Sequence, residues 1–559
     1  MSVAIAKGTT NAVVQSSNST RHLGIVGCGP RGLQCLEAIS RKLSPLQRKN
    51  LRITIFETAT HPGAGTIYDP TQPHVLRMNF ATQHIDFWTV DVDHNTNRKS
   101  SLIGWLQRHY PNWAKSDQYI PRAVAGEYLS DCFKKVASRF ATEQLNVVRR
   151  RVQSIEFYEH VWNLITEDAE HFHVDDVIVT TGHERLRPHA ELIGLSDPAI
   201  FALPTQTNLS THSVPSGTRV LIRGFGLTAI DAILTLTEGR GGQFVTASSV
   251  PAYIHGPDQP RSIEVHSRSG RPMLAKPTEA VEPITDSFWT PYRHRLQQLQ
   301  TKHGSLHFYR DIWLVITDAA SKLLNQRRRD IDDWYRGWSR YKIDRITVCE
   351  VMRESYDIAL GKRPKNIAFA LGEAWRKLYP QLVDLVSYGG LADGQWKIFK
   401  PTASEMERIA FGPPAESVGK LLSLIDAGLL RIGCVNADVG SVKLIAPQHP
   451  TPTFDHVIDA VIAAPHQHEH GGPLRRLIES GVVMLDEATG AVRTDTSGHP
   501  IDAPPGLAVF GRSTEGWVLG NDTLTRTMHP QIERWADNFA FNVVARPTSN
   551  HQPSILKIS

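Results

Sequence analysis

Short apolar runs alternate with amphipathic stretches along much of the chain. HLGIVG (22–27) and LRITIFE (51–57) have the continuous apolar character of buried strands, and LQCLEAISRKL (33–43) between them repeats its apolar residues with helical spacing. VIVTT (177–181) and LIRGFG (221–226) are similar apolar runs further along. Buried strands that alternate with helices predict parallel sheets, so we expect an α/β fold.

A glycine-rich turn follows the first apolar run. Gly27, Gly29 and Gly32 have the spacing of a dinucleotide-binding turn, where they permit the turn itself, the approach of a pyrophosphate and close packing of the next helix. That helix would point its positive N-terminus at phosphate. Glu57 ends the next strand, where a carboxylate accepts hydrogen bonds from ribose hydroxyls. The alternative is an ordinary strand that ends in a solvated glutamate.

A second turn, RGFGLTAID (223–231), repeats this pattern with one change. Gly224 and Gly226 occupy the first two positions, and Ala229 occupies the third. The pattern tolerates alanine there because it also packs closely against the strand. Two such turns predict two nucleotide-binding folds in one chain.

The strand expected after the second turn, SIEVHSRSGR (262–271), has no acid at its end. Ser267, Arg268 and Arg271 stand there instead. Hydroxyl and guanidinium groups suit a 2′-phosphate, so NADPH is favoured over NADH. The alternative is that these arginines lie on a solvated hairpin.

Composition narrows the class further. The chain has 559 residues, 41% of them hydrophobic, which predicts a globular protein of two or three domains. No apolar stretch reaches the length of a membrane span, and the first twenty residues lack the apolar region of a signal peptide, so we expect a cytoplasmic protein without a membrane partner. The net charge of +5 is small for this length and does not indicate a nucleic-acid partner.

Three further patterns suggest no chemistry of their own. The five cysteines include no close pair, which disfavours a flavoprotein disulfide reductase. The basic aromatic stretch 327–345 has interleaved aspartates at helical spacing, which predicts a charged helix face rather than a nucleic-acid surface. HQHEH (466–470) is followed at once by two glycines, so a polar loop is favoured and no metal site is predicted.

A family resemblance joins these pieces. Its segments are GCGPRG, FETATHPGAGTIYD, VLRMNFATQHIDFW, IPRAVAGEYLSD, TTGH, RGFGLTAID, FGPPAESVGKLLSLIDAGLLRIG and GLAVFGRSTEG, within residues 21–543. The sequence resembles the single-chain FAD/NAD(P)-binding flavoproteins related to N-hydroxylating monooxygenases, and among them the aspartate N-monooxygenases that form nitrosuccinate. The resemblance implies two Rossmann-like domains, for FAD and for NADPH, with a largely helical insertion.

The resemblance also suggests a division of the chain. The expected parts are a mobile tail at 1–20, a discontinuous FAD-binding domain at 21–215 and 445–545, an NADPH-binding domain at 216–275 and 425–444, a helical insertion at 276–424 that caps the substrate cleft, and a tail at 546–559. In this division the late apolar run DHVIDAVIAAPH (455–466) returns the chain to the first fold.

By the same resemblance, residues spread over the first fold contact FAD. They are Met78, Asn79, Phe80 and Gln83 against the isoalloxazine ring, the backbone near Val152 at the adenine, Gly182 after the VIVTT strand, and Arg122, Glu127 and Tyr128 beside the site. Gly511 and Arg512 stand where Gly-Asp is usual, which brings a cation near the flavin or its phosphates. Asn79 and Gln83 are the predicted catalytic residues, because an amide near flavin N5 could hold the nicotinamide amide or a flavin hydroperoxide. Alternatively, they only cap a turn.

The implied reaction is N-hydroxylation of the amine of a small, aspartate-like amino acid by a C4a-hydroperoxyflavin, with NADPH and O2. An acidic substrate needs cations, and the insertion offers Arg293, Arg295, Lys400 and Arg408, each of which could instead be surface charge. The alternative function is a flavin oxidoreductase that passes electrons from NADPH to a protein or small acceptor. A homo-oligomer is an open expectation.

Overall fold

The computed structural model describes residues 20–85, 87–88, 101–182, 199–245, 250–340, 345–433, 454–462, 472–521 and 523–544. The strands are β1 (Arg21–Val26), β2 (Leu51–Phe56), β3 (Leu145–Val148), β4 (Val152–Tyr158), β5 (Val161–Thr166), β6 (His171–Val174), β7 (Asp176–Val179), β8 (Ile200–Phe201), β9 (Arg219–Arg223), β10 (Gln243–Val245), β11 (Ala252–Ile254), β12 (Ser262–His266), β13 (Leu430–Ile432), β14 (His456–Asp459) and β15 (Leu507–Val509).

The α-helices alternate with these strands and fill the region between β12 and β13. They are α1 (Pro30–Lys42), α2 (Pro45–Arg48), α3 (Leu102–His109), α4 (Arg122–Ala137), α5 (Thr205–Asn208), α6 (Leu227–Leu236), α7 (Asp286–Gln297), α8 (Leu314–Leu324), α9 (Arg328–Arg340), α10 (Arg345–Ala359), α11 (Ile367–Val386), α12 (Trp396–Ala410), α13 (Ala415–Asp426), α14 (Arg475–Glu479) and α15 (Gln531–Val544).

The first parallel sheet, in the order β15-β7-β1-β2-β3, is covered on both faces. Helices α1, α4 and α15 contribute to one core with the sheet, and the antiparallel β4-β5-β6 sheet contributes to another. Both-sided burial explains the continuous apolar character of the first two strands, since a parallel strand needs apolar residues on both faces. The prediction of a parallel α/β fold is confirmed here.

The second parallel sheet has the order β13-β12-β9-β14-β8. This order corrects the sequence-based prediction for 455–466, because β14 pairs with β9 and β8 instead of returning to the first sheet. The apolar run predicts a strand but not its partner. Ion pairs between β9 and the β14 segment, Arg219 with Asp455 and Arg223 with Asp459, accompany this pairing.

The helical region that lies between β12 and β13 in the chain has a core of its own. Trp289, Phe308, Trp375 and Phe399 are fully buried within it. Helices α10 and α13 instead pack into the core of the second sheet. Strand β8 also belongs to the second sheet, although the expected division assigned 21–215 to the first fold. The remaining bounds of the division stay predictions.

Helix α9 confirms the interpretation of the basic aromatic stretch as a charged helix face. Arginines in and just before this helix pair with aspartates three or four residues away, as in Arg327 with Asp330 and Arg328 with Asp332. Among the described residues, no helix is long and apolar enough to cross a membrane. Residues 1–19 and 545–559, Cys434 and HQHEH (466–470) lie outside the described residues.

Candidate functional site

The two glycine-rich turns are attached to their sheets in the same way. The Gly27 amide donates to the Phe56 carbonyl at the end of β2, at 2.9 Å, and the Gly224 amide donates to the His266 carbonyl at the end of β12, at 2.8 Å. Glu57 and Ser267, the next residues after those carbonyls, therefore hold equivalent positions. The strand predicted to follow the second turn is confirmed as the neighbour of β9.

Close backbone approach requires glycine in the first turn. Gly27 has φ +85°, and a Cβ there would lie 2.7 Å from the Thr180 carbonyl oxygen. A Cβ on Gly32 would lie 2.5 Å from the Gly27 oxygen, so the third glycine lets α1 pack against the turn. Gly29 is the N-cap of α1 and makes no side-chain cap, which leaves the helix N-terminus available to an anion.

Glu57 is held in place at the end of β2. The side chain is 9% exposed, and its two carboxylate oxygens accept hydrogen bonds from the amides of Cys28 and Ala59, each at 2.7 Å. Each oxygen keeps a second acceptor position. The carboxylate is thus oriented and still able to accept from ribose hydroxyls, so this turn fits a dinucleotide.

The second turn is similarly open. Gly226 is the N-cap of α6 without a side-chain cap, and a Cβ on it would meet no atom of the described residues within 4 Å. The Ser267 hydroxyl accepts from the Gly270 amide at 3.0 Å, and Arg268 is exposed. These residues fit a nucleotide whose ribose carries phosphate, since no carboxylate stands at the position equivalent to Glu57.

Arg271 differs from Arg268 in its surroundings. It is buried and makes a two-pronged ion pair with Glu405 of α12, at 2.8 and 2.7 Å. Arg408, one of the four cations predicted to bind substrate, donates to the Arg271 carbonyl at 3.2 Å. Burial lowers the pKa of Arg408, and the charges of Arg271 and Arg268 add to this effect. The structure thus brings Arg408 to the second fold's strand end.

The other three predicted substrate cations do not join it there. Arg293 pairs with Asp286 of its own helix, Arg295 pairs with Asp318 of α8, and Lys400 is exposed on α12.

The segment predicted to face the flavin ring follows a bridge between Arg77 and Pro121. Met78 is buried and Asn79 is half-buried. Gln83 is exposed in a short 3-10 helix, and its backbone amide donates to the Ser116 carbonyl at 2.9 Å. Asn79 is therefore placed in partly buried surroundings and Gln83 at the surface.

Lys276 is a residue that the sequence reasoning missed. It is 5% exposed, donates to the Asn79 carbonyl oxygen, and places Nζ 4.6 Å from the centre of the Phe80 ring. Burial lowers the pKa of Lys276 to about 7, and the charge of Arg376 contributes to the shift. Its local sequence, LAKPT, carries no motif, because the burial comes from segments far away in the chain.

Arg122 joins the two folds. At the start of α4 it pairs with Asp231 of α6, with N–O distances of 2.5 and 3.3 Å, and both side chains are almost fully buried. Glu127 accepts from the Tyr110 hydroxyl at 2.8 Å, and Tyr128 is buried. The structure thus gives Arg122 a contact between folds that the sequence did not predict.

Three predicted backbone contacts lie at the ends of strands. Val152 begins β4 and is buried, and Gly511 follows β15. Gly182 follows β7, and a Cβ on it would meet no atom of the described part of the chain within 4 Å. Arg512 pairs with Glu515. The Gly511 carbonyl accepts a hydrogen bond from Asn521 Nδ2 at 2.7 Å, which holds the turn after β15 against the segment around Asn521.

Comparison with known proteins adds to this geometry. Residues 24–184 match the FAD-NAD(P)-binding family. The match runs from within β1 to beyond β7 and includes the first glycine-rich turn, and it confirms the predicted class of cofactor.

Two relatives share more of the chain. The L-aspartate N-monooxygenase (nitrosuccinate-forming) of Streptomyces davaonensis is 28% identical over 344 residues, 52% of this chain and 50% of that protein. The nitrosuccinic acid synthase npaA of Aspergillus oryzae is 23% identical over 534 residues, 80% of this chain and 77% of that protein. The chain spans only about half the length of the Streptomyces relative.

Among solved structures, the ornithine hydroxylase of Pseudomonas aeruginosa is similar with a TM-score of 0.48, 13% identity, and coverage of 94% of this chain and 98% of that one.

Proposed function

We propose that this protein is an FAD- and NADPH-dependent monooxygenase that oxidises the amine of a small acidic amino acid such as aspartate. The observation that carries the proposal is the pair of equivalent glycine-rich turns, one followed by Glu57 and the other by Ser267. The names of the two relatives support the nitrogen chemistry and the choice of aspartate.

In this proposal each turn holds one cofactor. The first turn, Gly27 to Gly32, binds the FAD pyrophosphate at the N-terminus of α1, and Glu57 binds the ribose. The second turn, Gly224 to Gly226, binds the NADPH pyrophosphate, with Ser267 and Arg268 at the 2′-phosphate. Arg271 supports this strand end through its ion pair with Glu405.

When bound, the two cofactors supply electron transfer from NADPH to FAD and the activation of O2. The chain's own residues orient the partners. Asn79 offers a side-chain amide beside the flavin ring, and Arg408 and Arg271 keep the second fold's strand end attached to the helical region. A substrate amine must be neutral to attack oxygen, and an α-amine that ordinarily titrates at about pH 8 has a neutral fraction at neutral pH. This favours an α-amine over a lysine-like side chain.

The test is oxygen uptake by the purified protein with FAD, NADPH and a panel of amino acids, with products identified by mass spectrometry. The proposal expects uptake that depends on aspartate or a similar acidic amino acid, and an N-oxidised product. NADPH consumption that yields only hydrogen peroxide with every amino acid, or that needs a protein acceptor, would contradict it and support an electron-transfer flavoprotein. A Gly226→Val variant is the matched control, because it obstructs the second turn and should abolish NADPH-driven flavin reduction while dithionite still reduces the flavin.

A further inference from the structure

A buried cation lies where three parts of the chain meet. Asn79 and Phe80 come from the first fold, Lys276 comes from the segment after β12, and Phe411, which lies 6.4 Å from Phe80 between ring centres, follows α12. The Lys276 ammonium donates to the Asn79 carbonyl and lies over the Phe80 ring. The lysine side chain therefore points toward the segment that we expect to face the flavin.

Charged groups of both signs surround Lys276. Arg376 of α11 lowers the lysine pKa, and Glu407 of α12 opposes this effect. His84 lies in the 3-10 helix (Thr82–His84) of the first fold. Burial lowers the pKa of His84, and the positive charges of Lys377 and Lys276 lower it further. Arg376 itself pairs with Glu373 of its own helix. The cluster at the junction of the folds thus combines Lys276, Arg376 and Lys377 with the carboxylates of Glu373 and Glu407.

Lys276 makes no ion pair with a carboxylate of the described residues. Its ammonium donates a hydrogen bond to the Asn79 carbonyl oxygen and lies over the face of the Phe80 ring. A buried ammonium costs free energy unless it is paired, and the drop of its pKa to about 7 expresses that cost. An ammonium kept in such a place, with donors left over, suits an anion that arrives from outside the protein.

We propose that Lys276 binds a carboxylate of the substrate and so selects small acidic amines at the junction beside Asn79 and Phe80. This inference rests on the proposed monooxygenase function and deepens it. The substrate class it names is a short amino acid with a second carboxylate, which pairs with the Lys276 ammonium; a neutral or basic amino acid lacks that carboxylate.

A proton should accompany the ligand. Free Lys276 loses its proton above about pH 7, whereas a bound carboxylate stabilises the charged form and raises the lysine pKa. Binding at pH 8 should therefore draw about one proton onto the protein. The other charged or titratable groups around this position are His84, Lys377, Glu407, and Arg376 with its partner Glu373. At pH 8 His84 keeps its present charge state because its pKa is already lowered, and Arg376 stays charged.

The experiment is calorimetric titration of the oxidised, FAD-loaded protein with succinate and with aspartate, in the presence of NADP+. Measurement at pH 8 in two buffers of different ionisation enthalpy gives the protons taken up. Succinate has no amine, so its proton uptake reports on the protein. The variants are Lys276→Met and Lys276→Arg, with Lys397→Met as the control, because Lys397 is an exposed lysine of α12.

The expected result separates the three variants. Lys276→Met should bind both ligands about 10- to 100-fold more weakly and take up no proton, because a charge-assisted hydrogen bond is lost. Lys276→Arg should keep affinity within about tenfold of the wild type but take up no proton, since arginine is already charged. Lys397→Met should match the wild type. Methionine replaces a buried charge with an apolar chain of similar length, so the variant should fold, and its thermal midpoint and flavin content check this.

Two outcomes overturn the inference. If Lys276→Met binds succinate and aspartate as tightly as the wild type, Lys276 does not bind the carboxylate. The same conclusion holds if only the affinity for FAD changes. Absence of binding of both acids to the wild type also overturns the inference, even if another amine is then found to be N-oxidised, in which case the monooxygenase proposal survives. Conversely, Lys276-dependent binding without any oxygenated product would retain this site while the proposed reaction fails.

Discussion

The buried ion pair between Arg122 and Asp231 offers the sharpest test of how the two folds are joined. Arg122 begins α4 of the first fold and Asp231 lies in α6 of the second, and their side chains are 12% and 9% exposed. Burial lowers the pKa of Arg122, but the charge and hydrogen bonds of Asp231 outweigh it and raise the pKa, so the guanidinium stays charged. We predict that Asp231→Asn leaves this charge buried without a counterion.

The size of the effect follows from burial. Removing one partner of a buried ion pair costs about 3–5 kcal/mol, whereas removing a partner of an exposed pair costs about 0–1 kcal/mol. Arg293 and Asp286 form an exposed pair of the same type, with Asp286 77% exposed. Asp286→Asn is therefore the matched control. The double variant Arg122→Met with Asp231→Leu should recover most of the loss, because it removes both charges.

Hydrogen exchange measured by mass spectrometry is the suitable assay, since a chain of several domains does not unfold in one step. Peptides that cover β9 and α6 report the local opening of the second fold. A loss of 3 kcal/mol or more should speed their exchange at least about 100-fold in Asp231→Asn. Acceleration below about tenfold, or a double variant that exchanges as fast as the single one, would show that the pair does not fasten the folds together.

Four further predictions follow from single residues. Glu57→Gln should weaken FAD binding about tenfold or more, because a charge-assisted acceptor is lost, and titration of the apoprotein by flavin fluorescence measures it; unchanged affinity would refute the ribose role. Arg268→Ala should raise the KM for NADPH severalfold and leave that for NADH unchanged, and equal effects on both coenzymes in steady-state kinetics would refute the phosphate contact. Asn79→Ala should increase the hydrogen peroxide formed per NADPH oxidised, and coupling equal to the wild type would refute its role. Burial, together with the charge of Arg31, lowers the pKa of His529 to about 4 in the folded protein. Between pH 6.5 and 4 the unfolded chain therefore binds a proton on this histidine that the folded protein does not, and the stability falls as the pH drops, by up to about 1.4 kcal/mol per pH unit. A His529→Gln variant whose denaturation midpoints depend on pH as steeply as those of the wild type would contradict this.

The sequence predicted the parts of the fold that local chemistry specifies. The first turn needs glycine at 27 and 32 because backbone atoms come within 3 Å of where a Cβ would be, and such requirements are visible in the sequence. The strand 262–266 was also found, although a long stretch separates it from the second turn. Its place as the strand that the dinucleotide-binding pattern expects after the second turn was sufficient.

What the sequence did not predict depends on partners that are distant in the chain. The apolar residues of β14 suit either sheet, and only pairing with β9 decides between them. Arg271 is predicted to contact phosphate, and only the fold shows that Glu405 pairs with it. Lys276 becomes unusual only when Phe80 and the helical region bury it. In each case the deciding interaction joins residues that no local pattern connects.

The position of β15 has a consequence for how the chain is made. Val177 of β7 pairs with Leu507 of β15, so the edge of the first sheet stays bare until the last tenth of the chain has been synthesised. At about 5–20 residues per second, a ribosome needs roughly 15–65 s to cover that interval. During this time β7 presents unpaired backbone groups to other chains. The family match at 24–184 ends before β15, the edge strand of the first sheet. A fragment cut at those bounds would therefore keep the β7 edge unpaired permanently.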